Sequence, residues 1–264
     1  MTGRQTRWDS DPDPGSGPSD ETEQISLAIE PAGEYGSDEI MVAAIRTAGG
    51  WRVFAQCCGE SAESLTAMLR ERVSEHGVAS VHDSEQALLQ GLTRWVVEHL
   101  DGTSNNETRD RGASDDSHGI VTTYDEPHLG AGVLPVLRTR LGAHGLPWPF
   151  WECSAVKLQS IVEDRFHVQT RDEDASSLGL PAAYELISDD VRGAGWNAVD
   201  PVDSAAAARA AAASLRAEDL IIHTVVDAYR LSVLHRILRR YCTLADLQPE
   251  LIAPAKQTHL THHS

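Results

Sequence analysis

The chain has 264 residues, with 40 acidic and 22 basic side chains and a formal net charge of −18. This length allows one large domain or two small ones, and such a domain needs neither a metal ion nor a disulfide to fold. No run of 18 or more apolar residues is present and the first residues are polar, so we expect neither a transmembrane helix nor a signal peptide. The composition predicts a cytoplasmic protein that does not associate with membranes.

Lysine is scarce among the basic residues: only Lys157 and Lys256 are lysines, and the others are arginines. High acid content, few lysines and abundant alanine resemble the proteins of salt-loving archaea. A charge of −18 repels nucleic acid in ordinary buffer, but in molar salt the Debye length is only about 3 Å. The charge is therefore weak evidence against a nucleic-acid partner. The four cysteines match no zinc or redox template.

The first half of the chain is rich in predicted strands. Residues 1–23 are polar and rich in Asp, Pro, Gly and Ser, which predicts a disordered acidic tail. Strands are predicted at 25–30, 39–47 and 51–58, with a hairpin between the last two at "AGG". Three successive strands indicate an antiparallel meander.

Predicted helices dominate the rest of the chain. Helices at 61–77 and 84–102 precede a polar insert at 103–119 and a fourth strand at 120–124, which we expect beside strand 25–30. Residues 243–264 are predicted to be a flexible tail. The order of elements predicts an α/β protein with a mixed sheet flanked by helices. The later predicted helices cover 132–145, 154–166, part of 176–187, 202–217 and 218–241.

The last helix, "EDLIIHTVVDAYRLSVLHRIL" at 218–238, is apolar over most of its circumference and is therefore predicted to be buried across the sheet. It nevertheless contains Asp227, with His223 one turn earlier. A buried carboxylate must be paired, hydrogen-bonded or bound to a metal. Two interpretations remain open for Asp227: a polar functional pocket, or a structural carboxylate bonded to the backbone or to an arginine. His223 is equally compatible with a core histidine.

The region 200–241 resembles the last motif of DEDD-type 3′–5′ exonucleases of the RNase H-like superfamily, which end in an apolar helix with an H-x-x-x-D or Y-x-x-x-D step. Here that step runs from His223 to Asp227. "SLAIE" stands where the family has its D-x-E strand, and "IVTTYDEPHLGAGVLPVL" followed by "GLPWPF" resembles a further family stretch. The resemblance covers about residues 24–242. It implies one RNase H-like domain whose sheet combines the three-strand antiparallel meander with parallel strands.

The resemblance also implies a metal site, because four carboxylates of the family hold two divalent ions that activate water. Glu30 and Asp227 match two of these ligands, whereas Ala28 and Val133 stand where the other two carboxylates belong. His223 matches the family's general-base or water-orienting residue. Asp125 is a candidate replacement ligand. Further candidate replacements are Glu126, Glu34 and Asp203.

Aromatic and basic residues near the middle of the chain are candidates for nucleic-acid binding. Trp148 and its neighbours Phe150 and Trp151 are candidates for base stacking, although an apolar loop packed under the sheet is the alternative. Arg138 and Arg140 are candidates for phosphate contacts, and solvated helix faces are the alternative.

These observations lead to three hypotheses. The preferred one is an exonuclease-related protein that binds single-stranded nucleic acid, has lost most or all catalysis and holds no Mg²⁺ or Mn²⁺ tightly. The second is an active metal-dependent 3′–5′ exonuclease that uses Glu30, Asp125 and Asp227 with Mg²⁺ or Mn²⁺, while His223 orients water. The third is a protein-interaction module.

Overall fold

A computed structural model describes residues 24–32, 39–56, 61–73, 77–104, 119–125, 132–151, 153–166, 179–188, 217–242 and 250–251. Their strands form one seven-stranded mixed sheet in the order β4-β3-β2-β1-β5-β6-β7. The strands are β1 (Gln24–Pro31), β2 (Ile40–Thr47), β3 (Gly50–Gln56), β4 (Gly77–His82), β5 (Ile120–Thr123), β6 (Ser154–Lys157) and β7 (Glu250–Leu251).

The sheet contains the predicted meander, because β1 pairs with β2 and β2 with β3, both antiparallel. β5 lies parallel to β1 on its other side, as expected for strand 120–124, and β6 extends the parallel part. An antiparallel meander continued by parallel strands is consistent with an RNase H-like arrangement. The predicted α/β fold class is confirmed.

Six helices are described, and they cover both faces of the sheet. The helices are α1 (Ala62–Val73), α2 (Glu85–Ser104), α3 (Val133–Ala143), α4 (Leu158–Phe166), α5 (Leu180–Ser188) and α6 (Ala217–Tyr241). One core cluster joins alternate sheet residues to α1, α4, α5 and α6, and a second joins the intervening sheet residues to α2 and α3. The described elements therefore form three layers, with the sheet in the middle.

Helix α6 crosses the central strands, where it contacts β1, β2, β3 and β5. Every residue from Leu220 to Leu231 is buried, as the apolar circumference of this helix predicts. Alternate residues of a strand point to the same side of the sheet. Ala28 and Glu30 therefore both lie on the face of β1 that α6 covers.

Three strands differ from the sequence-based prediction. The helix predicted at 61–77 ends at Val73 and is followed by β4, and the helix predicted at 154–166 begins only at Leu158, after β6. β7 lies within the predicted flexible tail and pairs with β6. Four buried or half-buried residues such as "SAVK" are too few for periodicity to distinguish a strand from a helix.

Among the described strands, β4 forms one end of the sheet order and pairs with β3 alone. Helix α1 covers part of its outer side. Thr66 Oγ1 accepts a hydrogen bond of 3.1 Å from the Ala79 backbone N–H. Arg70 donates a hydrogen bond of 3.4 Å to the Gly77 carbonyl.

Two predictions lie outside the described residues: the tail at 1–23, and the helix at 202–217 as far as residue 216. The predicted polar insert begins at 103, but α2 continues to Ser104 and residues 105–118 are not described. In the described part of the chain, no helix combines the length and the apolar character that crossing a membrane requires.

Candidate functional site

Glu30 lies near the carboxyl end of β1, on the face of the sheet that α6 covers. The pairing register between β1 and β2 shifts between Glu30 and Pro31, which marks a β-bulge next to this carboxylate. The Glu30 side chain is only 9% exposed. Such burial requires partners for the carboxylate.

Helix α6 supplies those partners from two successive turns. His223 and Asp227 stand four residues apart, and this spacing places both on one side of the helix. His223 Nε2 lies 3.2 Å from Glu30 Oε1 and 3.2 Å from Asp227 Oδ2. One imidazole nitrogen thus connects a carboxylate of β1 with a carboxylate of α6.

Arg230 completes the cluster. Its Nη1 donates a hydrogen bond of 2.9 Å to Asp227 Oδ1, and both side chains are buried. The Arg230 guanidinium also lies 6.0 Å from the ring centroid of Tyr184 on α5. One oxygen of Asp227 is therefore bonded to an arginine, as in the structural interpretation of this residue. The other oxygen faces His223.

The neighbouring carboxylates favour the protonated imidazole of His223. Burial opposes its charge, but the negative charge of Asp227, followed by the hydrogen bond and charge of Glu30, outweighs burial and raises the pKa of His223 to about 9. His223 Nδ1 is buried without a hydrogen-bond partner among the described residues. The protonated His223 and Arg230 thus place two positive groups beside the two carboxyl groups of the cluster.

The same atoms form the one group of three potential metal ligands among the described residues. One ligand atom each from Glu30, His223 and Asp227 lie within 4.8 Å of one another. Two carboxylate oxygens and an imidazole nitrogen suit a single ion, but a pair of Mg²⁺ or Mn²⁺ ions requires more oxygens. Ala28 contributes no oxygen on this face, so the donor set does not fit the two-metal arrangement of the exonucleases.

Val133 and Asp125 lie elsewhere. Val133 packs in the core cluster on the opposite face of the sheet, so it does not lie beside Glu30 and Asp227, where the resemblance places the fourth carboxylate. Asp125 is not part of the three-ligand group; its Oδ2 lies 4.0 Å from Lys157 Nζ, and Gly132 approaches its other oxygen closely. The proposed substitutes Glu34, Glu126 and Asp203 lie outside the described residues.

The candidate nucleic-acid-binding residues belong to α3 and the segment after it. The Arg138 guanidinium lies 4.7 Å from the ring centroid of Trp148, which is half-buried against the second core cluster. Trp151 is 54% exposed. Arg140 Nε instead donates a hydrogen bond of 2.8 Å to Glu85 Oε1, so this arginine is already bound to a carboxylate.

A polar network around Glu85 is absent from the sequence-based predictions. The buried carboxylate accepts hydrogen bonds from the Ile40 N–H at 2.8 Å and from Arg140, and it lies 2.7 Å from His144 Nε2. Burial favours the neutral acid, but hydrogen bonds from Arg140 and then His144 lower the pKa of Glu85 below its ordinary value. The i,i+4 spacing of Arg140 and His144 was a signal, but nothing in the sequence pointed to Glu85 as their partner. The network connects α2, α3 and β2.

No protein-family model matches the chain, and no curated protein matches its sequence.

Proposed function

We propose that this protein is a relative of the DEDD-type 3′–5′ exonucleases that binds single-stranded nucleic acid without cleaving it. The observation that carries this proposal is the cluster of Glu30, His223 and Asp227 between the first strand and the last helix. These are the two elements on which the sequence resemblance places metal-binding carboxylates of the family. The mixed sheet is compatible with such a relative.

Charge supports the loss of cleavage. A pair of divalent ions carries four positive charges and needs several carboxylates nearby. This site has two carboxylates, and the Asp227 carboxylate is hydrogen-bonded to Arg230 at 2.9 Å. We therefore expect negligible exonuclease activity with Mg²⁺ or Mn²⁺.

The surface near α3 supports binding of unpaired bases. Trp148 with Arg138 above its ring, and the exposed Trp151, provide flat surfaces that can stack on bases of any sequence. Stacking is less sensitive to salt than contacts with phosphates. We therefore expect any complex with nucleic acid to persist in multimolar salt, where phosphate attraction is screened.

Fluorescence anisotropy with labelled single-stranded DNA and RNA, at 0.1 to 3 M KCl, tests the proposal. Loss of one stacking side chain in Trp148→Ala or Trp151→Ala should weaken binding about tenfold. Leu186→Ala removes an equally exposed apolar side chain from α5 and serves as the control. Absence of binding at every salt concentration would contradict the proposal and favour a protein-interaction module.

A second candidate function is an active nuclease, favoured by the three ligand atoms within 4.8 Å of one another. A gel assay with labelled DNA and RNA distinguishes it from the first. Trimming by the unmodified protein in Mg²⁺ or Mn²⁺, abolished by Asp227→Ala, would establish this alternative.

A further inference from the structure

We infer that Arg230 serves as a permanent built-in cation of the Glu30–His223–Asp227 cluster and thereby excludes divalent metal ions from it. The inference concerns the site of the proposed function, but it does not depend on nucleic-acid binding. The proposed function explains the loss of metal binding by missing carboxylates. Here the exclusion of metal ions is assigned to Arg230, a residue that is present.

The geometry of Asp227 is the first support. Its Oδ1 lies 2.9 Å from Arg230 Nη1 and its Oδ2 lies 3.2 Å from His223 Nε2. Both oxygens of this carboxylate are therefore directed at nitrogen atoms. An ion bound by Asp227 would have to share an oxygen with one of these nitrogen contacts or displace it.

The confinement of Arg230 is the second support. Its side chain is only 7% exposed, and its guanidinium lies over the ring of Tyr184. A surface arginine can swing into solvent when an ion arrives, but this one has packed neighbours. Its charge is also permanent, because a guanidinium does not lose its proton in proteins.

Electrostatics connects these observations with metal exclusion. A divalent ion at the three ligand atoms would share Asp227 with a fixed positive charge. In a buried site this repulsion is strong and salt screens it little. Neutralising Arg230 removes this repulsion, so one ion should bind at the three ligand atoms more readily, with release of the His223 proton.

The test measures Mn²⁺ binding, using the electron paramagnetic resonance signal of the free ion. The full-length wild-type protein should show no saturable binding at the cluster. Arg230→Gln keeps a polar side chain beside Asp227 but removes the charge, and it should bind one Mn²⁺ saturably, with an affinity at least about tenfold above the detection limit set by the wild type. Arg236→Gln makes the same change at an exposed position of α6 and should behave like the wild type.

Two results would overturn the inference. One is a folded Arg230→Gln protein, judged by circular dichroism, whose Mn²⁺ binding equals that of the wild type. The other is saturable wild-type binding that Asp227→Asn abolishes. If Arg230→Gln does not fold, Arg230→Lys decides: it retains the charge and should still exclude Mn²⁺, so binding by this variant would contradict the inference. Oligonucleotide anisotropy on the same samples reports separately on the proposed function.

Discussion

Protonation of His223 should make the stability of the protein depend on pH in a defined direction. In the folded protein its pKa is about 9, against 6.5 for an ordinary histidine. The folded state therefore holds this proton more tightly than the unfolded chain, and the difference corresponds to about 3 kcal/mol. This contribution is fully present below pH 6.5 and is lost as the pH rises to about 9.

Urea denaturation between pH 6 and 9.5, at constant salt, measures this dependence. Between the two pKa values the free energy of unfolding should fall by up to about 1.4 kcal/mol per pH unit from this residue. His223→Gln should be less stable at pH 6.5 and should lack this part of the slope. His99→Gln, at a partly buried histidine on α2, is the control. Equal slopes in the wild type and His223→Gln would refute the assignment of a protonated His223 between Glu30 and Asp227.

Two further predictions concern stability elsewhere. Glu85→Ala should lower the free energy of unfolding by about 1.5–3 kcal/mol, because it leaves the buried Ile40 N–H and the partly buried Arg140 without their acceptor. Denaturation of the exposed variant Glu63→Ala should show almost no change, and a Glu85→Ala loss below about 1 kcal/mol would contradict the prediction. Gly132→Ala should lower the melting temperature, because φ is +89° and the new Cβ would lie 2.3 Å from Asp125 Oδ1. Gly142→Ala, in open space on α3, should raise it slightly, so similar shifts in both variants would refute the argument.

The sequence was sufficient to predict the elements with strong local patterns. The meander followed from three apolar runs and the "AGG" turn, and the burial of α6 followed from its apolar circumference. β4 was missed because an edge strand needs few apolar residues: Ala79 is buried, but Val78 is 42% exposed. The predicted helix ends at 77, so only Gly77 of β4 falls within it, and residues 78–82 are predicted to belong to no element.

The candidate site was predictable only in part, for a physical reason. His223, Asp227 and Arg230 share one helix, so their spacing alone placed the first two together and allowed an arginine partner for Asp227. The distance from Glu30 to His223 depends on how α6 crosses β1, which the family resemblance suggested but local pattern does not determine. Val133 lies on the opposite face because α3 begins there. The resemblance did not predict on which face of the sheet this helix lies.

The contacts of α1 with β4 affect how molecules of this protein meet one another. An open edge strand offers its backbone groups to strands of other molecules, which is a common route to aggregation. Here Thr66 and Arg70 already bind the Ala79 N–H and the Gly77 carbonyl. A second strand that aligned with this part of β4 would have to displace both hydrogen bonds. α1 thus protects part of the sheet edge, and separation of this helix from β4 would expose backbone groups to which strands of other molecules can bind.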